Sequence, residues 1–356
     1  MELPPFCARD FLRKYSCFKP KYLFLYLIYL SWYDISIYLY LDFLFIIYYI
    51  FMNKEKWIDL DKNKRCAPSK KFKDGSCFTR EALQKIANAY NQKLVDKRQQ
   101  INVSSSKEQL VRQIGDILKN KCNDQVCWLR DNIIKSLDDD DILNNTFRPE
   151  GPSGKYEWLS TIDINDVLTQ YHEKYDDFIF LGAVPYDFLD LPVLELHHHN
   201  LFDNYELQGK TKIGAVINLD THNMPGSHWV ALYTDLEKKQ VYFFDSVGKK
   251  PGKRIRKFVN KIVKYLYKKI NPRDKLEINS LIKSIKNKNY DMIDKLSPID
   301  IRYNYIQHQF DDSECGVYSM NFIINLLEGR TFDDIIHNIT KDDAMNRMRT
   351  VYFNNI

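Results

Sequence analysis

The sequence has no uninterrupted apolar run long enough to read as a simple membrane span. Its most apolar region, residues 22–51, is broken by Asp34 and Asp42, and its longest charge-free run is twelve residues. About 18–20 are needed to cross a bilayer, and each Asp near the centre would cost about 2.5–3.5 kcal/mol. A signal peptide fits poorly, because no small-residue cleavage site follows. The next methionine after Met1 is Met52, just beyond the run. Residues 1–51 therefore read as a hydrophobic leader ahead of a start at Met52, with a membrane anchor or a buried hairpin as alternatives.

An excess of one charge is also missing. The 52 basic residues face 47 acidic ones, for a net charge of +5, so nothing here demands nucleic acid as an obligatory partner. No internal repeat is present. The seven cysteines are odd in number and irregularly spaced, which suits a reducing compartment with free thiols better than a disulfide framework. Cys66 and Cys77 have ten residues between them and Cys122 and Cys127 have four, where zinc sites use tight pairs. The His197-His198-His199 triplet points its rings in different directions on a loop. No metal site is expected.

What is present is ample core material, 44% hydrophobic and 14% aromatic, with helical and strand periodicities in separate blocks. Thr79 caps a helix whose stripe is Leu83, Ile86, Ala87, Tyr90 and Leu94. A second helix opens with the capping box Ser106/Gln109 and would bury Leu110, Ile114, Ile117 and Leu118. These belong to a helical N-terminal arm, residues 52–146, whose acidic run Asp138–Asp141 reads as a solvated helix end. The module from 147 to 356 holds an amphipathic helix after Trp158-Leu159-Ser160, then short strands FIFLGAV, KIGAVINLD, HWVALYT, QVYFF and IRYNYIQ. Between the last two lies a helix with a clean apolar stripe and a basic outer face, Lys253–Lys269. Residues 271–300 read as a surface insertion, and two short helices capped at Thr331 and Thr340 follow.

The stretch YIQHQFDDSECGVYSMNFIINLLE carries the chemistry. Cys315 stands between a polar loop and a helical apolar run, where unpaired N–H groups and the helix dipole favour thiolate. A lone cysteine is commonly a small buried hydrophobe, so the combination matters. Gln309, six residues earlier, is a neutral amide able to donate to an oxyanion. His228 and Asp245 stand at corresponding ends of HWVALYT and QVYFF, strand runs joined by the hairpin turn DLEKK. Antiparallel pairing would bring base and orienting carboxylate together.

The order His228, Asp245, Gln309, Cys315, with HWV, FFDS and Q-x5-CG, resembles the adenain and SUMO-protease clan of cysteine proteases. It is most similar to the polyprotein-processing protease of African swine fever virus and its giant-virus relatives. The papain order, Cys before His, is the reverse. The resemblance spans about Cys77 to Tyr352 and implies an α+β fold: a central, mainly antiparallel sheet flanked by helices, plus the helical arm. It implies a thiol endopeptidase that needs no metal or organic cofactor and cleaves viral structural polyproteins at Gly-Gly-Xaa sites, in the virion or the host cytoplasm. It also implies that Trp158 lines the substrate cleft (a core tryptophan is the alternative), that Trp229 shields the imidazole or closes the cleft, and that Asp187 echoes a P-x-D-F element. Two alternatives are a deSUMOylating or deubiquitinating isopeptidase and a non-catalytic binding module, against which the complete set of four residues argues.

Overall fold

The computed structural model describes residues 65–273 and 298–354. The leader reading for residues 1–51 and most of the insertion at 271–300 lie outside the described residues. Among the described residues no helix is long and apolar enough to cross a membrane.

The arm contains α1 (Arg80–Lys93), α2 (Lys107–Leu118) and the single turns α3 (Gln125–Trp128), α4 (Asn132–Lys135) and α5 (Asp140–Leu143). Thr79 accepts from the Ala82 N–H at the start of α1, and the Ser106/Gln109 capping box opens α2. Leu83, Ile86, Ala87, Leu110, Ile114 and Leu118 make one core with Phe78, Trp128 and Phe147. Ile117, expected inside, is 39% exposed. The stripe 110–114–118 advances by four residues per step, and position 117 falls to its flank.

The acidic run does more than end a helix. Asp139 caps α5 and pairs with Lys85, while Asp141 pairs with Lys70. The expectation of free thiols in the arm is overturned. Cys66 is joined to Cys77 and Cys122 to Cys127, with Cα atoms 5.3 and 5.4 Å apart. The physical reason is local: Asp74 and Gly75, both at positive φ, turn the chain back on itself so that Lys73 bridges Ser76, returning Cys77 to Cys66. Spacing that is wrong for zinc is not wrong for a disulfide. Among the described residues Cys315 is the free cysteine.

The second module runs α6 (Thr161–Lys174), β1 (Phe178–Val184), α7 (Leu201–Leu207), β2 (Lys212–Asn218), β3 (Trp229–Asp235), β4 (Gln240–Phe244), α8 (Lys253–Ile270), β5 (Asp300–Tyr303), α9 (Cys315–Leu327), α10 (Phe332–His337) and α11 (Asp342–Tyr352). The five strands lie in sequential order. The sheet is mixed: β2–β3 and β3–β4 are antiparallel, whereas β1–β2 and β4–β5 are parallel. Each parallel pair needs a crossover, and α7 and α8 lie in those connections. The last strand is shorter than IRYNYIQ, ending at Tyr303. Thr331 forms a capping box at α10, but α11 starts after Lys341, with no cap from Thr340.

The strands alternate faces with a period of two. Ile213, Ala215, Ile217, Val230, Leu232, Val241 and Phe243 face the helix layer of α7 and α8. Val216, Ala231, Tyr233, Tyr242 and Phe244 face α6, α9, α10 and α11. Helix α9 is largely apolar, with Asn321 and Asn325 on its one less buried face, and is buried along nearly its whole length, as expected of a helix in the centre of a domain. Phe322 stacks on Phe244 with centroids 4.8 Å apart and meets Phe332 edge-on. Phe322→Ala is expected to destabilise the fold by about 3–5 kcal/mol, read as a lower urea midpoint.

Candidate active site

Helix α9 begins at Cys315, which is 4% exposed. Its N-cap, Glu314, makes no side-chain capping bond, so the first N–H groups of the helix are not taken by that side chain. Gly316 lets the helix start approach the Trp158-Leu159-Ser160 segment: a Cβ there would lie 3.1 Å from Leu159 Cβ.

His228 immediately precedes β3 and Asp245 immediately follows β4. Ala231 pairs with Phe244. The pairing ends there, and His228 and Asp245 emerge beyond it at the same end of the hairpin. His228 Nε2 lies 2.7 Å from Asp245 Oδ1. The Cys315 thiol is near enough to the ring to act on its charge as well. Burial disfavours the charged ring, but hydrogen bonds and charge from Asp245 and Cys315 outweigh it and raise the imidazole to about 9.

Asp245 is held in turn by groups that no local motif announced. Asn304 accepts from the Asp245 N–H at 2.8 Å and donates to its carbonyl at 2.6 Å, so one buried amide satisfies both backbone groups. The Val247 N–H donates to Asp245 Oδ1 at 3.0 Å. Gln309 is 3% exposed and sits against the end of β4, its own N–H bonded to the Ser246 carbonyl. Its Oε1 accepts from the Ser246 hydroxyl at 2.6 Å and its Nε2 donates to the Asp311 carbonyl at 2.7 Å. An amide nitrogen carries two protons, so one bond orients the group and the second N–H can serve a ligand.

Cys315 and His228 line a cleft of about 460 Å³ together with Trp158, Leu159, Trp229 and the loop before His228. Trp158 is half exposed in this cleft, whereas Trp229 is 8% exposed and packs in the core. Trp229 Nε1 donates to the Leu159 carbonyl at 2.9 Å, tying the two sides of the cleft together. The loop is fixed from below: Asn218 Oδ1 accepts from the Asp220 and Ser227 N–H groups. Asp187 accepts from the His222 N–H at 2.9 Å and lies 2.5 Å from its ring Nδ1. Asp187 stands in the P-x-D-F element, but its pairing with His222, 35 residues away, has no local signal.

The structure thus brings His228, Asp245 and Cys315 together and sets Gln309 beside Ser246; both tryptophans line the cleft, Trp158 half exposed and Trp229 largely buried in its wall. The triplet His197–His199 is exposed, and no described cluster of His, Cys, Asp or Glu could hold a metal.

The raised imidazole has a defined signature. Its folded value lies above the usual 6.5 or so, so the stabilising contribution of the charged ring is complete below about pH 6.5 and is lost as pH rises through about 9. Asp245→Asn should move the His228 midpoint down toward the ordinary range, seen in the NMR titration of its ring protons. An unmoved midpoint would show that the carboxylate does not hold the charge.

Comparison with known proteins agrees with this architecture. Residues 203–356 match the family model of the Ulp1 protease family, C-terminal catalytic domain. A protein of Acanthamoeba polyphaga mimivirus, named as a thiol protease, is 36% identical over 307 residues, covering 82% of this chain and 93% of its own. An African swine fever virus protein named as a cysteine protease is 24% identical over 235 residues, covering 62% of this chain and 76% of its own. The same match in another isolate bears the name SUMO-1 cysteine protease, at 23% identity. The crystal structure of the African swine fever virus protease aligns with a TM-score of 0.51 at 18% identity, covering 72% of this chain and 94% of that one, a likeness of fold.

Proposed function

The chain belongs to the Ulp1 family of cysteine proteases, and on that premise we propose that it is an endopeptidase cleaving viral structural polyproteins after Gly-Gly. The observation that carries this reading is a thiol at the start of a buried helix, sharing a cleft with an imidazole that is itself held by a buried carboxylate. His228 holds the Cys315 proton as imidazolium, and the thiolate sulfur attacks the scissile carbonyl carbon. The carbonyl π electrons move to oxygen, where the Cys315 N–H and Gln309 Nε2 stabilise the charge. The tetrahedral adduct collapses, His228 gives its proton to the departing amine, and water then releases the acyl group by the same route. Asp245 holds the ring orientation throughout. The thiol mechanism calls for no metal or organic cofactor.

Preference for glycine ahead of the scissile bond is supported by crowding at the thiol. Leu159 packs onto Gly316 and is tied to Trp229 across the cleft, so a residue without a side chain fits there with least disturbance. Trp158 offers an exposed ring in the cleft for residues further from the bond. On the same reading the enzyme works where viral structural proteins are assembled, in the virion or the host cytoplasm. A second reading, hydrolysis of ubiquitin-like conjugates, is favoured by the name of the African swine fever virus relative and by the same preference for glycine.

The test is the full chain against a peptide library containing Gly-Gly-Xaa sites, with Cys315→Ala as control. Cleavage after Gly-Gly that disappears in the variant is expected, and cleavage that ignores glycine would refute the specificity. Labelling by a SUMO vinyl sulfone without peptide cleavage would move the assignment to conjugates. Gln309→Ala is expected to lower kcat by about 10²–10³ with KM little changed, whereas an unchanged kcat would remove it from the oxyanion site.

A further inference from the structure

The mechanism uses Cys315 and Gln309 but does not explain what holds their donors in place. Glu314, immediately before the nucleophile, is 1% exposed, and Arg349 in α11 is 0% exposed. Arg349 Nε donates to Glu314 Oε2 at 2.9 Å, and its Nη2 donates to the Ser313 carbonyl at 3.3 Å. Asn346 Nδ2 and the Ser313 hydroxyl both donate to Glu314 Oε1, at 2.8 and 3.0 Å. Both carboxylate oxygens, and the carbonyl one residue earlier, are therefore gripped around the peptide that carries the Cys315 N–H.

The same helix holds the other donor. Asp342 Oδ2 accepts from the Phe310 and Asp311 N–H groups at 2.9 and 3.2 Å. Asp311 supplies the carbonyl that orients Gln309 Nε2. The Tyr318 hydroxyl of α9 lies 2.7 Å from the Thr340 carbonyl, just before α11, and 3.1 Å from Asp342 Oδ1, tying the start of α11 to the helix that bears the nucleophile. Positions 342, 346 and 349 are spaced by four and three residues, and so lie on one face of α11.

A buried ion pair contributes little net stability compared with apolar residues of the same volume. Its consequence here is geometric. We propose that α11 is a brace for the oxyanion site, with Arg349 and Asp342 as positioning residues: Arg349 sets the Cys315 N–H through Glu314, and Asp342 sets Gln309 through the 310–311 backbone. The inference rests on the reading of Cys315 as nucleophile and of the Cys315 N–H and Gln309 as oxyanion donors. It predicts that loosening the brace impairs reactions that develop an oxyanion and spares those that do not. Displacement by about 1 Å can cost on the order of a hundredfold.

Two reagents separate these effects in the full-length protein, independently of its polypeptide substrate. p-Nitrophenyl acetate acylates the thiol: sulfur adds to the ester carbonyl, the oxygen becomes an oxyanion, and p-nitrophenolate leaves with the electron pair. Iodoacetamide alkylates the same sulfur by displacing iodide from a saturated carbon, with no oxyanion. The Cys315→Ala rates are subtracted from both. Arg349→Met alone would strand a buried carboxylate and risks unfolding, so the informative variant is Glu314→Gln with Arg349→Met, which removes both charges together. Acylation by this variant should fall roughly 10- to 100-fold while alkylation stays within about twofold. Asp342→Ala should show the same split.

Equal acylation in wild type and both variants would overturn the brace while leaving Cys315 as nucleophile. A parallel fall in both rates would also overturn it, because the effect would then act on the sulfur itself. If the wild-type thiol is not acylated at all, the assignment of the nucleophile fails first and the brace fails with it.

Discussion

The site depends on the burial of α9 across the face of the sheet formed by Tyr233, Tyr242 and Phe244, because that packing decides where the helix begins. Val317, Met320, Phe322, Ile323 and Ile324 are all buried, so the helix has little freedom to slide or rotate on the strands beneath it. Interiors at crystal-like density transmit such constraints to their ends. The first residue of α9 is therefore held opposite the ends of β3 and β4, where His228 and Asp245 emerge. Gly316 allows the final approach to Leu159, and the indole of Trp229 closes the same corner.

Electrostatics then acts in a place that packing has dried. The His228–Asp245 hydrogen bond lies between a ring with 19% and a carboxylate with 2% of their side-chain surface exposed. Interactions there are screened less than on the surface, which is why two partners outweigh the burial cost of the imidazolium. Asp245 keeps its orientation because Asn304 satisfies both of its backbone groups from the strand next door. Parallel pairing of β4 with β5, made by the α8 crossover, is what brings Asn304 and then Gln309 alongside. The mixed character of the sheet is thus part of the site's construction.

Much of this was legible in the residues. Period-two strands, the helical stripes and the Thr79 and Ser106 caps rest on short-range rules, each depending on neighbours within one turn or one strand, whereas the His–Asp–Gln–Cys order is legible through its resemblance to a known family. The hairpin between β3 and β4 made even the His228–Asp245 contact readable, since its turn sets the register. Ile117 shows the limit of such rules: a stripe names a face, but the edge of that face is drawn by the partner that packs on it. The two arm disulfides show another, because pairing depends on how the chain turns and not on residue spacing.

By itself, the sequence determined which groups could act as nucleophile, base, orienter and amide donor, and the longer periodic helices and strands. Tertiary structure alone decided what surrounds them. Asn304 beneath Asp245, His222 against Asp187, the bond from Trp229 to Leu159, and the bonds of Arg349 to Glu314 and of Asp342 to the 310–311 backbone join residues from 31 to 70 positions apart. A polar side chain gives no sign in the sequence of which distant backbone it will satisfy. That choice is made when the core closes and every buried donor and acceptor must find a partner.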